Sequence, residues 1–328
     1  MKTVIISDID LSARKGAGIP IYVEGLVRNL PGEKVVIGKG KGDWLGCRTI
    51  GISAKSNYEH FFKLFLLDKS FISKEDILVS QRPDFIYPFL NLGCRKIVTV
   101  HGDPASIIMK KKGGLTHRFY RYFESVSLKK ADQVIFIDSR ARAKYAGSAV
   151  VIPPGIDTNL FKPMDKASAR RKLGLPSGRM LLFCGRLAPE KNIRRIVDEL
   201  RGKKLTFLII GEGPEKIEEG GNIRLLGTVS HEDLPLYMTA ADALILMSES
   251  EGLPTVVLEA MACGTPVISR DVGDIGKVVI EGKTGFLTEF GSIEQKADKL
   301  KDMSKGCRKM ALGYSWKSIA RKLWEVYR

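Results

Sequence analysis

The 328 residues, 44% of them hydrophobic, suffice for two domains that each bury a core. Five widely spaced cysteines, Cys47, Cys94, Cys184, Cys263 and Cys307, are odd in number and lack a CxxC pair, which argues against a disulfide framework or zinc site and fits a reducing compartment. The net charge is +16. Residues 1–163 hold 26 cations against 15 acids and residues 164–328 hold 27 against 22, so the excess sits in the first half. Such a field attracts nucleic acid, anionic membrane or phosphorylated substrates and does not choose among them.

Short β-branched runs at Thr3–Ile6, Lys34–Ile37, Ile77–Ser80, Lys96–Val100 and Gln133–Ile137 alternate with amphipathic stretches, predicting parallel strands joined by helices. The pattern restarts at Met180–Cys184, Thr206–Ile210, Ile223–Leu225, Ala243–Met247 and Pro266–Ser269. Between the halves, residues 153–163 hold three prolines and a glycine and read as a stiff linker. The expected organisation is an α/β domain over 1–152, this linker, a second α/β domain over 164–312 and a final helix over 313–328. Two doubly wound domains of this kind face across a cleft, with ligands at the carboxyl ends of the strands. The amino terminus is too short an apolar run for a signal peptide and no stretch approaches a membrane span, so the expected location is cytoplasmic, or peripheral on the cytoplasmic membrane face.

The segment from Glu251 to Pro266 carries the most chemistry. It follows a strand, opens with Gly252-Leu253-Pro254-Thr255 and continues as a helix, so Pro254 falls near the first turn, where a missing N–H costs nothing. The free N–H groups and positive dipole end of such a helix suit a diphosphate. Glu259 lies among Val256, Val257, Leu258, Ala260, Met261 and Ala262, too apolar a setting for a solvated carboxylate. It needs either a salt-bridge partner or a hydroxyl-bearing ligand, and the residues alone weigh these equally.

Glu251 and Glu259, followed by Met261-Ala262-Cys263-Gly264-Thr265-Pro266-Val267, resemble the E-x7-E motif and tail of the GT4 family of retaining glycosyltransferases. The resemblance implies the GT-B fold, with Glu251 on donor-sugar hydroxyls and Glu259 on the ribose of a UDP- or GDP-sugar. Cys184-Gly185-Arg186-Leu187-Ala188-Pro189-Glu190-Lys191-Asn192 resembles the family's G-R-L-x-x-x-K-G turn, with asparagine replacing its last glycine, and implies Arg186 and Lys191 as a diphosphate clamp. Two fixed cations can stabilise the charge that develops on a leaving diphosphate without a metal, so neither metal nor cofactor is expected. A solvated charge pair at a helix start is the plainer alternative. Gly211 within Gly211-Glu212-Gly213, the backbone near Val229, and Leu234 within Leu234-Pro235-Leu236-Tyr237 also fall where the family binds its donor. The likeness runs from about Val151 to about Leu287.

The first half matches more thinly. Gly16 and Gly18 in Lys15–Pro20 resemble the family's glycine-rich loop, although a tight turn explains them equally well. His101 ends a strand where family members place a histidine on the donor sugar. Gly273-Asp274-Ile275-Gly276-Lys277 departs from the family's G-G-x-P-E, which puts sugar-side contacts of that loop in doubt. Asp8-Ile9-Asp10 spells a D-x-D, read as ordinary solvated loop acids. From Thr116 to Lys130 a helix would align Phe119, Phe123 and Val126, with Arg118, Arg121 and Lys129 mainly elsewhere. With Lys110, Lys111, Lys112 and Lys130, that stretch reads as a dock for an anionic membrane and a lipid-linked acceptor, or as a helix packed on its own sheet. The reading is thus a metal-independent retaining hexosyltransferase with no nucleic-acid partner. A nucleotide-sugar epimerase or hydrolase, a basic nucleic-acid binder and a non-catalytic subunit are the alternatives.

Overall fold

Val4, Ile5 and Ile6 are fully buried on β1 (Lys2–Asp10) in the computed structural model, which describes residues 1–12, 18–42, 44–102 and 114–328. Strands buried on both faces belong in a parallel sheet covered by helices on either side. Around β1 run β2 (Glu33–Lys39), β3 (Arg48–Ile52), β4 (Ile77–Ser80), β5 (Arg95–Val100), β6 (Gln133–Phe136) and β7 (Val150–Val151), all parallel, in the order β3-β2-β1-β4-β5-β6-β7. The order reverses at β1, the switch point that opens a crevice beyond the carboxyl ends of β1 and β4. Among the described residues the α-helices of this unit are α1 (Ile19–Asn29), α2 (Asn57–Leu66), α3 (Gly114–Lys130) and the short α4 (Ser139–Ala143). Ser56 caps α2 by accepting from the Glu59 N–H at 3.2 Å, while Glu59 reaches back to the Lys55 N–H at 2.7 Å.

Helix α3 turns inward a face other than the apolar one that the packed-helix alternative would have buried. Tyr120, Glu124 and Ser127 form its buried stripe, Phe123 and Val126 are half-buried at its flank, and Phe119 is exposed. The polar stripe is tolerated because Glu124 is satisfied: the Tyr120 hydroxyl donates to it at 3.1 Å and Arg121 at 2.8 Å. The acids of the D-x-D sit within β1 rather than on a loop. Asp10 accepts from the Ser12 N–H and hydroxyl, whereas Asp8 is half-buried and accepts from Asn57 at 2.9 Å and Arg82 at 3.4 Å.

The chain divides into two units, Met1–Gly155 with Ile319–Arg328, and Ile156–Ser318. In the second, β8 (Met180–Cys184), β9 (Thr206–Ile210), β10 (Ile223–Gly227), β11 (Ala243–Leu246), β12 (Val267–Ser269) and β13 (Gly285–Leu287) are again all parallel, ordered β10-β9-β8-β11-β12-β13. Its helices are α5 (Lys166–Lys172), α6 (Ile193–Leu200), α7 (Leu234–Ala240), α8 (Thr255–Ala262), α9 (Ile293–Asp298) and α10 (Ser304–Leu312), and α11 (Trp316–Tyr327) follows. Residues 153–163 are not uniformly a linker. The Ile156 N–H donates to the Tyr314 carbonyl at 3.0 Å, Phe161 is fully buried in the second core, and Arg308 donates to the carbonyls of Thr158, Phe161 and Ala262.

Candidate functional site

The sequence motifs of the second unit gather at the carboxyl edge of its sheet because each follows a strand directly. After β8 the chain passes through Gly185, Arg186 and Leu187 into a 3-10 turn at Pro189–Lys191; after β9 it passes through Gly211 to Gly213. Hydrogen bonds stitch these loops together: Gly185 N–H to the Ile210 carbonyl at 3.0 Å, Leu187 N–H to the Glu212 carbonyl at 2.9 Å, and Gly211 N–H to the Gly227 carbonyl at 2.8 Å. Gly211 has φ +131°, and a Cβ there would run into the Gly185 carbonyl, so only glycine lets the two loops lie this close.

Lys191 and Glu251 are brought together as an ion pair, 60 residues apart in sequence. Both are largely shielded, with side chains 21% and 11% exposed. Their loops are joined independently by the Glu249 N–H on the Glu190 carbonyl at 2.9 Å and by the Asn192 side-chain N–H on the Met247 carbonyl at 3.0 Å. Asn192, standing where the resemblance led us to expect glycine, is left-handed at φ +54°, a conformation asparagine accepts more readily than most residues. Arg186 is placed differently: its side chain is 68% exposed and paired with Glu190 at 2.8 Å.

Pro254 caps α8 and its carbonyl accepts from the Val257 N–H at 3.2 Å, so of the first turn it is the N–H groups of Thr255 and Val256 that lack an acceptor within the helix. Leu253 is buried, while Gly252, Pro254 and Thr255 are half-buried, and the Gly252 carbonyl accepts from the Asp274 N–H at 2.9 Å. Gly273 packs so tightly over Glu251 and Gly252 that a Cβ would meet both carbonyls, which ties the loop that departs from the family pattern directly to the motif.

Glu259 is buried on α8, and its partner is His231, whose Nε2 lies 3.4 Å from Oε1. The hydrogen bond to Glu259 holds the His231 imidazole above its ordinary pKa. Sequence reasoning named Val229 and passed over His231 two residues on; a histidine so near a backbone expected to bind the donor was the available signal. Burial, with Glu259 nearby, pushes the Cys184 thiol up to about 12, so it is no nucleophile at neutral pH. Val229 is half-buried, and Leu234 is buried in the core with its N–H donated to the Ser230 carbonyl at 3.2 Å.

In the first unit, His101 follows β5 and its Nε2 lies 2.8 Å from the Gln81 Oε1, with the ring edge-on to Tyr22 at 4.7 Å. Gln81 is itself buried after β4, its N–H bonded to the Ile6 carbonyl. Burial lowers the His101 pKa to about 4, so the ring is neutral at neutral pH. Gly18 stands before α1 with φ +71°. Gly16 and Lys110, Lys111 and Lys112 lie outside the described residues.

A cavity of about 780 Å³ lies at the opposite, amino edge of the second sheet, lined by Lys166, Arg170, Arg179 and Asp242 among others. Lys166 and Arg170 share Asp242 and Arg179 pairs with Asp298, so three of its cations are already engaged. Cys263 to Pro266, the tail of the motif, line it, whereas Lys191, Glu251 and Glu259 do not.

Residues 165–312 match the family model described as glycosyl transferases group 1. The D-inositol 3-phosphate glycosyltransferase of Nocardioides sp. is 30% identical over 218 residues, 54% of this chain and 48% of that protein. The one from Thermobispora bispora is 31% identical over 211 residues, 54% and 49%. The matched region therefore spans about half the length of these curated relatives. Among solved structures, a sucrose-phosphate synthase from Thermosynechococcus elongatus superimposes with a TM-score of 0.78 at 21% identity, covering 100% of this chain and 98% of that one. Anabaena HepE in complex with UDP gives 0.76 at 17%, covering 99% of each. At these identities the likeness shows the fold, which is GT-B: two parallel-sheet α/β domains.

Proposed function

We propose that this chain, whose second unit belongs to the group 1 glycosyl transferases, is a retaining, metal-independent glycosyltransferase that moves a hexosyl group from a UDP- or GDP-sugar to an acceptor hydroxyl. The observation that carries the proposal is the Lys191–Glu251 ion pair beside the amino end of α8, with Glu259 buried further along the same helix. Glu251 is positioned to accept from sugar hydroxyls and Glu259 from ribose hydroxyls, exchanging Lys191 and His231 for ligand. Lys191, freed toward the diphosphate, and Arg186, swung off Glu190, supply positive charge together with the α8 N–H groups.

In this reaction the bond between the anomeric carbon and the diphosphate oxygen breaks, and the acceptor oxygen bonds to that carbon on the same face. The acceptor's proton passes to the departing phosphate oxygen, so charge is greatest on the diphosphate at the transition state, where fixed cations act most strongly. His101, neutral and with Nε2 directed at Gln81, accepts a hydrogen bond from the sugar at Nδ1 and carries no charge of its own. UDP is the first nucleotide to test, since neighbours of the same fold are described with UDP and UDP-glucose.

The acceptor is lipid-linked or otherwise held at an anionic membrane, reached through Lys110, Lys111, Lys112, Arg118, Arg121, Lys129 and Lys130. Support comes from the exposure of the last four on α3; no helix among the described residues is long and apolar enough to cross a membrane. A melting-temperature screen against UDP-, GDP- and ADP-sugars tests the donor, and NMR of the product tests its anomeric configuration. An inverted glycoside, or no stabilisation by any nucleotide sugar, would overturn the proposal.

A further inference from the structure

Helices α2 and α3 leave a continuous apolar surface that folding of the first unit does not use. Phe62, Phe65 and Leu66 on α2 are 54%, 43% and 85% exposed, and Leu115, Phe119 and Tyr122 on α3 are 85%, 38% and 59% exposed. Spacings of three and four put each trio on one helical stripe. The two stripes meet, since the Phe62 and Phe119 rings lie 5.9 Å apart and both contact the buried Phe61. Scattered exposed apolar residues are ordinary; a contiguous aromatic patch is not, and marks a surface that meets something apolar.

Charge around the patch identifies what that is. Lys63 and Arg121 are paired with Glu59 and the buried Glu124, so those charges cancel, and exposed Arg118, Lys129 and Lys130 on α3 leave the surroundings of the stripes net positive. Aromatic and leucine side chains bordered by cations match the boundary between acyl chains and anionic headgroups. Helix α3 alone does not suffice, because its fully buried stripe faces its own unit; α2, which sequence patterning did not single out, supplies half of the surface.

We propose that Phe62, Phe65 and Leu66 of α2, with Leu115, Phe119 and Tyr122 of α3, insert together into the interface of an anionic lipid bilayer. This rests on the membrane-held acceptor inferred above and names the elements that enter the lipid. The test uses the full chain without donor or acceptor, so its outcome is independent of whether nucleotide sugars bind. Co-sedimentation is measured with vesicles of phosphatidylglycerol mixed into phosphatidylcholine and with phosphatidylcholine alone, for the wild type and for F62S/F65S/L66S. Phe62 and Phe65 also touch Phe61, so the variant should melt somewhat lower than the wild type while staying folded in the assay. L66S alone, at an 85% exposed position, should melt as the wild type does and still bind the vesicles more weakly. The expected result is binding to the anionic vesicles at low salt, weakened by roughly tenfold or more in the variant. A Phe62→Trp protein should show blue-shifted emission on the same vesicles. Equal binding of wild type and triple variant, no binding at low salt, equal binding to both lipids, or a dimer that the triple substitution dissociates would each overturn the proposal, the last by assigning the patch to a second copy of the chain.

Discussion

Gln81 presents its side-chain carbonyl oxygen to Nε2 of His101 at 2.8 Å, so the imidazole carries its proton on Nε2 and leaves Nδ1 as an acceptor. With burial holding its pKa at about 4, His101 should contribute no inflection to activity between pH 6 and 8. Gln81→Glu would set a carboxylate against the same nitrogen, favour the imidazolium and move a His101 inflection upward. A pH–rate profile of the two proteins checks this; an unchanged profile in the variant would separate His101 from the chemistry.

His60 is buried against Phe85, its ring stacked at 5.0 Å, and desolvation, with Lys39 adding to it, likewise lowers its pKa to about 4. Both histidines have folded pKa values below the ordinary 6.5, so the stability they contribute is complete above that value. It is lost as pH falls toward 4, where the unfolded chain binds protons that the folded chain refuses. Melting temperature should therefore decline from pH 7 to pH 4, and His60→Phe should decline less. Parallel curves for the two proteins would argue against a neutral buried His60.

Lys191→Ala should lower kcat/KM by about 3 kcal/mol of transition-state stabilisation, near a hundredfold, as for other lost charge-stabilising donors. Arg186→Ala should cost less, since Arg186 is solvated and paired with Glu190. Steady-state kinetics on both settles their order, and activity should be unchanged by EDTA. Restoration by Mn²⁺ after loss to chelation would return attention to Asp8 and Asp10.

The His231–Glu259 pair behaves oppositely to the buried histidines. Its folded pKa is raised, so the stability it adds is complete below about 6.5 and is lost as pH rises through the higher folded value. The ring is partly exposed, which limits the effect to about 1 kcal/mol or less. The melting-temperature gap between wild type and His231→Ala should be wider at pH 6 than at pH 9. Glu259→Ala should chiefly weaken nucleotide binding, measured by calorimetry.

Gly211→Ala should cost several times more than Gly18→Ala. Both positions have positive φ, but space is open at Gly18, whereas a Cβ at Gly211 meets the Gly185 carbonyl. Backbone strain alone costs an alanine at positive φ about 1–2 kcal/mol, the amount expected at Gly18. Denaturant midpoints compare the two, and equal losses would show that the loops can separate at no cost.

What the sequence by itself determined was the α/β architecture and the carboxyl-edge position of each motif. Runs such as Met180–Cys184 and Thr206–Ile210 are local signals that hydrophobic burial enforces wherever the chain places them. The edge strands Arg48–Ile52 and Gly285–Leu287 escaped because one carries a glycine and exposed residues and the other is three residues long, too little for a periodic signal. Tertiary structure alone decided the pairings. Lys191 with Glu251, Gln81 with His101 and His231 with Glu259 join residues 60, 20 and 28 positions apart, and no local pattern encodes such a distance. It decided also which face of α3 is buried: apolar spacing aligned Phe119, Phe123 and Val126 and left open whether that face met lipid or its own sheet, and a satisfied Tyr120–Glu124 hydrogen bond let a polar stripe go under and left Phe119 outside, beside Phe62. Burial follows from what a neighbour can satisfy, and the neighbour is known only once the chain has folded.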